Sequence, residues 1–366
     1  MKALAILPEG LEQVGINEVS RVIGIRAEAV QGAVLFDAEL KKLCELAYRG
    51  QAFSRVVLLL ADAQRLDEIS LSGLSRWFSP GDTFCVECIH VDSSATSLEI
   101  VPAVAAAAKE DMPSLKLDLK QPKHTLFAYV AKDICWSGID LSGFDLSKRA
   151  YRIFTHPAGL KGNEAFAVLS MAGCKPDSRL INLQCNDGSI AIEAALMRSA
   201  TSPFFYEKKN FSFVSLKAAD SKWFEQWDAR RTEAQTVFAF DSSMNWVTGT
   251  NKNAKIAGVS SIVRASRMEP EFIDVKFDRN SVDIIAARLP GPSKRIHEKI
   301  AVRIYDELFS QASNLLTGKG SLVVWISSQE LLLASAEKHG FSADSELIYT
   351  KGGHKGRIIR FIKARP

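Results

Sequence analysis

The run Leu180-Ile181-Asn182-Leu183-Gln184-Cys185-Asn186-Asp187-Gly188-Ser189, continuing as Ile190-Ala191-Ile192-Glu193-Ala194-Ala195, decides how this chain folds. A short apolar strand enters a tight polar turn, and an apolar helix starts at once. Such a turn lets a ligand approach the backbone, and the first N–H groups of the helix have no partner within it. Ser189 or Asp187 serves equally well as a plain helix cap. Of the three glycines in G-x-G-x-x-G only Gly188 is present, so this is not the dinucleotide fingerprint.

Reading outward toward the C-terminus, elements alternate strictly. A helix over 163–173 leads in. A strand over 179–185 feeds a helix over 189–199, and a strand over 236–241 feeds a helix over 244–257. Strands follow at 261–265 and 282–287, then helix 297–317, strand 321–327, helix 330–338 and strands 345–350 and 357–363. This alternation predicts a parallel, doubly wound sheet. The Lys351–Gly356 turn is too short for a crossover, so the last two strands form an antiparallel hairpin. A parallel sheet closed by such a pair is the α/β, Rossmann-like arrangement of class I methyltransferases. Asp241 ends the second strand, where a carboxylate can accept both ribose hydroxyls of an adenosine. It can also cap helix 244–257, although Ser242 is able to do that.

Reading outward toward the N-terminus, residues 1–60 predict strand Ala3–Leu7, helix Leu11–Gly24, strand Ala33–Phe36, helix Glu39–Arg49 and a buried strand Ser54–Leu60. That is a small ferredoxin-like unit. Residues 61–150 predict helix Asp67–Phe78, strand Phe84–His90, helix Ser97–Lys109, and strands Leu115–Asp118 and Thr125–Lys132. Gly143 and the pair Lys148-Arg149 mark a boundary. The predicted domains are 1–60, 61–150 and 151–366.

A chain of 366 residues is too long for one ordinary core. Its 47% hydrophobic and 24% charged residues are those of a globular protein, and a net charge of +4 permits a polyanionic partner without requiring one. No apolar run approaches the ~20 residues of a membrane span. The start, MKALAILPEGLEQ, lacks the character of a signal peptide, so a cytoplasmic location is expected. The six cysteines then read as thiols. Cys85 and Cys88 form one CxxC on a strand, where positions three apart face opposite sides, so no metal is expected. Residues 200–235 mix Phe204, Phe205, Tyr206, Phe211, Phe213, Trp223, Phe224 and Trp227 with Lys208 and Lys209. They read either as a lid with its own core or as a surface that stacks on RNA.

The stretch Tyr151-Arg152-Ile153-Phe154-Thr155-His156-Pro157-Ala158-Gly159-Leu160-Lys161-Gly162-Asn163, together with 180–195, resembles the THUMP-associated RNA methyltransferases, which modify guanine in transfer or ribosomal RNA. In register with their cofactor turn stand Cys185, Gly188, Glu193, Ala194 and Ala195. Gly10-Leu11-Glu12 and Tyr48-Arg49-Gly50-Gln51 are similar to that family's ferredoxin-like start. Ser137–Gly143 and Lys148–Arg152 are similar to the end of its THUMP module. The resemblance implies a ferredoxin-like plus THUMP front end before a class I methyltransferase domain. It also implies S-adenosylmethionine (SAM) as cofactor, structured RNA and above all tRNA as partner, guanine N2 as acceptor, and a monomer. Carried over residue by residue, cofactor contacts fall on Leu160, Asn163, Asn182, Cys185, Gly188 and Asp241. The catalytic loop falls on Arg288, Leu289 and Pro290, and the cations near the domain junction, Lys148, Arg149, Arg152 and Lys161, are the candidate RNA contacts.

This sequence also departs from the pattern. Asn182 stands for the family's Asp, Leu183 for Pro and Asn186 for the first Gly. A side chain at Asn186 narrows the space beside the methionine part of SAM. The acid expected on the adenine side is missing from Ser266-Arg267-Met268. Where relatives carry Asn/Asp-Pro-Pro-Tyr/Phe, this chain has Arg288-Leu289-Pro290-Gly291. Arginine only donates, so it cannot take hydrogens from an amine. The Leu289 carbonyl can accept one. Arg288 can grip a phosphate or base edge with help from Lys294, or form only a surface ion pair. Two functions follow: an RNA methyltransferase with altered acceptor geometry, or a degenerate relative that binds RNA without catalysis.

Overall fold

The computed structural model describes residues 1–294, 296–351 and 354–364. In chain order the elements are β1 Lys2–Ile6, α1 Glu12–Ile23, β2 Glu28–Val30, β3 Ala33–Asp37, α2 Leu40–Arg49, β4 Arg55–Arg65, β5 Thr83–Val91, α3 Ser97–Asp111, β6 Lys116–Leu117, β7 His124–Ala131 and β8 Ile134–Asp140. Then come α4 Gly162–Met171, β9 Leu180–Leu183, α5 Ser189–Arg198, α6 Lys222–Asp228, β10 Val237–Asp241, α7 Met244–Ile256, β11 Val263–Arg267, β12 Val282–Arg288, α8 Glu298–Leu315, β13 Leu316–Ile326, α9 Glu330–Lys338, β14 Phe341–Lys351 and β15 His354–Lys363. The chain divides into two compact units, one of residues 1–146 and 204–229, the other of 147–203 and 230–366.

The first unit is built on one eight-stranded sheet in the order β2-β3-β1-β4-β8-β7-β5-β6. β4 joins the part before residue 60 to the part after it, because it runs on to Arg65 and pairs with β1 on one side and β8 on the other. β7 and β8 form a hairpin whose two loop residues, Lys132 and Asp133, have φ 48° and 62°. That is the handedness a tight hairpin needs. The helix predicted over Asp67–Phe78 is corrected to two short 3-10 turns, Leu66–Glu68 and Leu74–Arg76. Gly73 between them adopts φ 86°, which no helix accommodates.

The aromatic segment 204–229 belongs to this first unit. Phe204, Phe211, Phe213, Phe224 and Trp227 are buried. They pack on Tyr48, whose ring lies 4.9 Å from Phe224, and on Phe144, 5.2 Å from Phe211. The Tyr48 hydroxyl donates to Asp228 at 2.9 Å. These rings are therefore core, and the reading in which they stack on RNA is corrected for all of them. Tyr206 remains exposed.

The second unit holds a seven-stranded sheet in the order β11-β10-β9-β12-β13-β15-β14. β9 through β13 pair in parallel, and β15 pairs antiparallel with both β13 and β14. The α/β class I fold predicted from the alternation is the fold observed. Residues 352 and 353, the centre of the predicted Lys351–Gly356 turn, lie outside the described residues. α5 is buried on nearly every face. α8 turns Ala301, Tyr305, Leu308, Phe309, Ala312 and Leu315 inward at helical spacing, onto Ile285, Leu322, Val324 and Phe361 of the sheet. The order of strands reverses direction at β9, so the loops after β9 and β10 open at the carboxyl edge where α/β sheets bind ligands.

Candidate active site

The turn between β9 and α5 is held from several sides. Gln184 and Asn186 sit at φ 48° and 54°, and Gly188 at φ 82°. Asparagine tolerates the left-handed region better than most residues. Asn186 also returns its side-chain amide to the Gln184 carbonyl at 2.7 Å. At Gly188 a Cβ would come within 2.6 Å of the Thr250 methyl, so glycine is needed for contact as well as for φ. Thr250 on α7 donates to the Asn186 carbonyl at 3.2 Å, and Asn253, one turn further, donates to the Asp187 carbonyl at 2.9 Å.

Asp241 closes the turn. One carboxylate oxygen accepts the Asn186 N–H at 3.0 Å and the other accepts the Ser243 N–H at 3.0 Å. It fixes the residue before α7 without capping the helix itself, whose N-cap is Ser243, and it lines a cavity of about 340 Å³ over the carboxyl ends of β9, β10 and β11. Phe240, Met268 and Ile273 give that cavity apolar walls, while Gln184, Asn186 and Ser243 add polar atoms. The acid expected near 266–268 is present one residue later: Glu269 lines the cavity. Sequence reading stopped at Met268 because β11 was expected to end earlier than its actual end at Arg267. Glu307 and Arg303 of α8 stand at the same wall, and burial raises the Glu307 carboxyl from its ordinary value.

The other cofactor candidates stand behind this surface. Asn182 is buried and donates to the Ala286 carbonyl of β12 at 3.0 Å, which clamps the two central strands. Its Oδ1 is buried without a partner. Cys185 turns its thiol to Thr250 at 3.5 Å, and burial pushes it up to about 12. Leu160 and Asn163 are buried and do not line the cavity.

The stretch 149–162 is braced by ion pairs. Arg149 donates to both oxygens of Glu193 at 2.8 and 3.2 Å, and Tyr151 donates to the same carboxylate at 2.9 Å. Both charged side chains are 0% exposed. Arg149 is therefore corrected from an RNA contact to a buried brace, since no phosphate reaches it. Glu193, kept in register with the family turn, is its counter-charge. Arg152 holds Asp187 at 2.8 Å and is largely covered. Gly159 lies against both, where a Cβ would meet the Asp187 carboxylate at 2.1 Å. Lys148 is exposed and Lys161 half-exposed. His156 lines the cavity with its ring edge-on to Trp246 at 4.3 Å. Burial lowers its pKa, Asp187 and Asp241 oppose that, and Arg288 reinforces it.

The catalytic-loop candidates end β12. Among the described residues Arg288 forms no ion pair. Its guanidinium lies 4.7 Å over the Trp325 ring, and burial lowers its pKa. Leu289 is buried and its N–H is spent on the Trp325 carbonyl at 3.0 Å. The Pro290 carbonyl accepts the Tyr305 hydroxyl at 2.6 Å. That bond ties the loop after β12 to α8, whereas the Leu289 carbonyl, the acceptor expected of this loop, has no hydrogen-bond partner among the described residues. Lys294 is exposed.

A parallel sheet with an antiparallel closing hairpin, a polar turn after β9 and a carboxylate at the tip of β10 together define a class I methyltransferase fold. Residues 149–355 match the RMKL-like, methyltransferase domain family, and the chain belongs to that family. Residues 63–140 match the THUMP domain. The chain is 24% identical over 96% of its length to the tRNA (guanine(6)-N2)-methyltransferase of Methanocaldococcus jannaschii, covering 97% of that protein. It is 25% identical over 98% of its length to the enzyme of the same name from Archaeoglobus fulgidus, covering 91% of it. Its fold is also that of SMU.472, a methyltransferase solved with SAH, at a TM-score of 0.80 and 20% identity, covering 100% of this chain and 98% of that one.

Proposed function

We propose that this protein is a SAM-dependent RNA methyltransferase acting on structured RNA, with tRNA first and guanine N2 as the acceptor suggested by its relatives. The observation that carries this is Asp241, which faces the cavity at the tip of β10 while holding the adjoining turn through the Asn186 N–H. The residues present fit an adenosine cofactor. Asp241 has lone pairs left for ribose hydroxyls, Phe240, Met268 and Ile273 suit a flat ring, and Glu269 can accept from an exocyclic amine. Asn182, Cys185 and Gly188 shape the turn from behind, while Leu160 and Asn163 lie outside the cavity's lining. When bound, SAM supplies the electrophilic methyl group.

In this reading Lys148 and Lys161 provide cationic surface for the RNA backbone, Arg152 being held by Asp187, and Arg288, Leu289 and Pro290 occupy the loop that meets the target nucleotide. Of the three predicted domains, 1–60 and 61–150 then act as a front end and an RNA-holding THUMP module on one shared sheet, and 151–366, apart from 204–229, is the methyl-transferring domain. The second reading, a relative that binds RNA without catalysis, is favoured by Arg288, a donor-only side chain where the family's acceptor stands. The deciding experiment is incubation with labelled SAM and total RNA from a strain lacking the gene. Label entering an RNA fraction supports the enzyme. No incorporation, with RNA binding intact, supports the second reading.

A further inference from the structure

Arg288 ends β12 with a cation that has no acceptor among the described residues. Its Nε is shut off from solvent without a hydrogen-bond partner. The nearby carboxylates are already engaged: Asp187 by Arg152 and the Ser189 hydroxyl, Glu164 by Tyr349 and the Lys161 N–H. What holds Arg288 is the Trp325 ring beneath it, and Trp325 is itself fixed. Its Nε1 donates to the Tyr349 hydroxyl at 2.8 Å, and that hydroxyl donates to Glu164 at 2.7 Å. Gly356 leaves the room Tyr349 needs, since a Cβ there would lie 2.4 Å from its ring. β12 and β13 pair so that Arg288 lies opposite Trp325. The aromatic missing from the Arg288–Gly291 tetrad is thus supplied by the neighbouring strand, under a guanidinium.

We propose that Arg288 is the specificity-determining residue of this site, and that it takes a pair of coplanar acceptor atoms from the substrate. The proposal rests on the RNA reading above and adds to it what the loop recognises. A guanidinium presents a planar fork of donors on one edge, and Trp325 covers one of its faces. A guanine O6/N7 edge or two phosphate oxygens match that fork. An exocyclic amine, being a donor, does not.

The test uses the full chain saturated with SAH and three probes: guanosine, adenosine and inorganic phosphate, each titrated by calorimetry or ligand-observed NMR. Adenosine presents an acceptor beside a donor amine, so it matches the fork only half as well. Guanosine should bind more tightly than adenosine, and Arg288→Gln should weaken guanosine by about tenfold or more. Arg288→Lys, which keeps the charge and loses the fork, should weaken guanosine almost as far. Loss of phosphate binding in Arg288→Gln with guanosine unchanged would assign the acceptor pair to a phosphate. Guanosine and phosphate affinities that are both the same in wild type and Arg288→Gln, or absent from the wild type, would overturn the proposal. SAH affinity, measured first, separates the two levels: no SAH binding to the wild type sinks the methyltransferase reading, whereas Arg288→Gln should retain it. If Arg288→Gln fails to fold, Arg288→Lys carries the same comparison.

Discussion

Arg149 offers the sharpest separation of structure from function. Its guanidinium and the Glu193 carboxylate are both 0% exposed, joined by two hydrogen bonds, with Tyr151 donating to the same carboxylate. Truncating Arg149→Ala leaves a buried carboxylate without its counter-charge, a change that costs about 3–5 kcal/mol. For a domain of 150–250 residues each kcal/mol moves the melting point by ~2–4 °C, so the second unit should melt roughly 6–20 °C lower. Replacing both partners at once, Arg149→Met with Glu193→Leu, removes the charges together and should restore most of the loss, because an apolar pair of similar volume is often as stable as a buried ion pair. The assay is thermal unfolding followed by circular dichroism for both single variants and the double variant. RNA affinity against salt is measured in parallel, below the melting transition. An Arg149→Ala protein that melts with the wild type but binds RNA less tightly, with a flatter salt slope, would refute the brace and return Arg149 to the RNA surface.

Four further outcomes follow. Asp241→Ala should lower SAH affinity about tenfold or more by calorimetry, from lost bonds to a charged group, and should loosen the turn whose Asn186 N–H it accepts. Asn186→Gly should raise SAH affinity several-fold at unchanged melting temperature, because glycine adopts φ 54° freely and clears a cavity-lining side chain. Lys148→Ala combined with Lys161→Ala should weaken all RNAs alike and flatten the logarithmic salt slope by about one unit for each phosphate no longer neutralised. The His156 pKa is lowered by burial, so the unfolded chain takes up its proton first as pH falls. Its contribution to stability is present above about 6.5 and is lost as pH drops through the lower folded value. An NMR titration should place its midpoint below 6.5, and a midpoint above that would contradict the burial argument.

What the sequence disclosed and what it hid follow from the range of the interactions. The central strands β9, β10 and β12 carry short apolar runs flanked by helices of clear period, and they were readable as parallel strands. β8 was not read as a strand, because Ser137 and Gly138 interrupt its apolar pattern. Gly138 is there for a nonlocal reason: a Cβ would lie 2.0 Å from the Leu58 carbonyl oxygen on β4. The aromatic segment 204–229 showed its composition but not its destination, since Tyr48 and Phe144 lie far away along the chain. In the site, Asp241 was legible from its position at a strand tip. Trp325 and Tyr349 were not, because they meet Arg288 only through strand register and a side-chain chain of hydrogen bonds. The one local sign was an aromatic near the end of β13. Arg149 was misread because a Lys-Arg pair at a boundary looks like surface, and only the position of Glu193 on α5 shows otherwise.

The departures from the family pattern are not of one kind, and the difference bears on function. At the cofactor turn each change is absorbed by new contacts. Asn182 bonds β12, Asn186 bonds Gln184, and Asp241, Thr250 and Asn253 hold the turn's backbone groups. At the catalytic loop the change inverts the chemistry, with the donor-only Arg288 where an acceptor would stand. Decay without function has no reason to spare the first region while building the second on an anchored tryptophan. A cation held by Trp325, with its Nε buried and without a partner among the described residues, costs stability unless something returns that cost on binding. The pattern fits a site whose acceptor recognition has changed, more than one that has decayed.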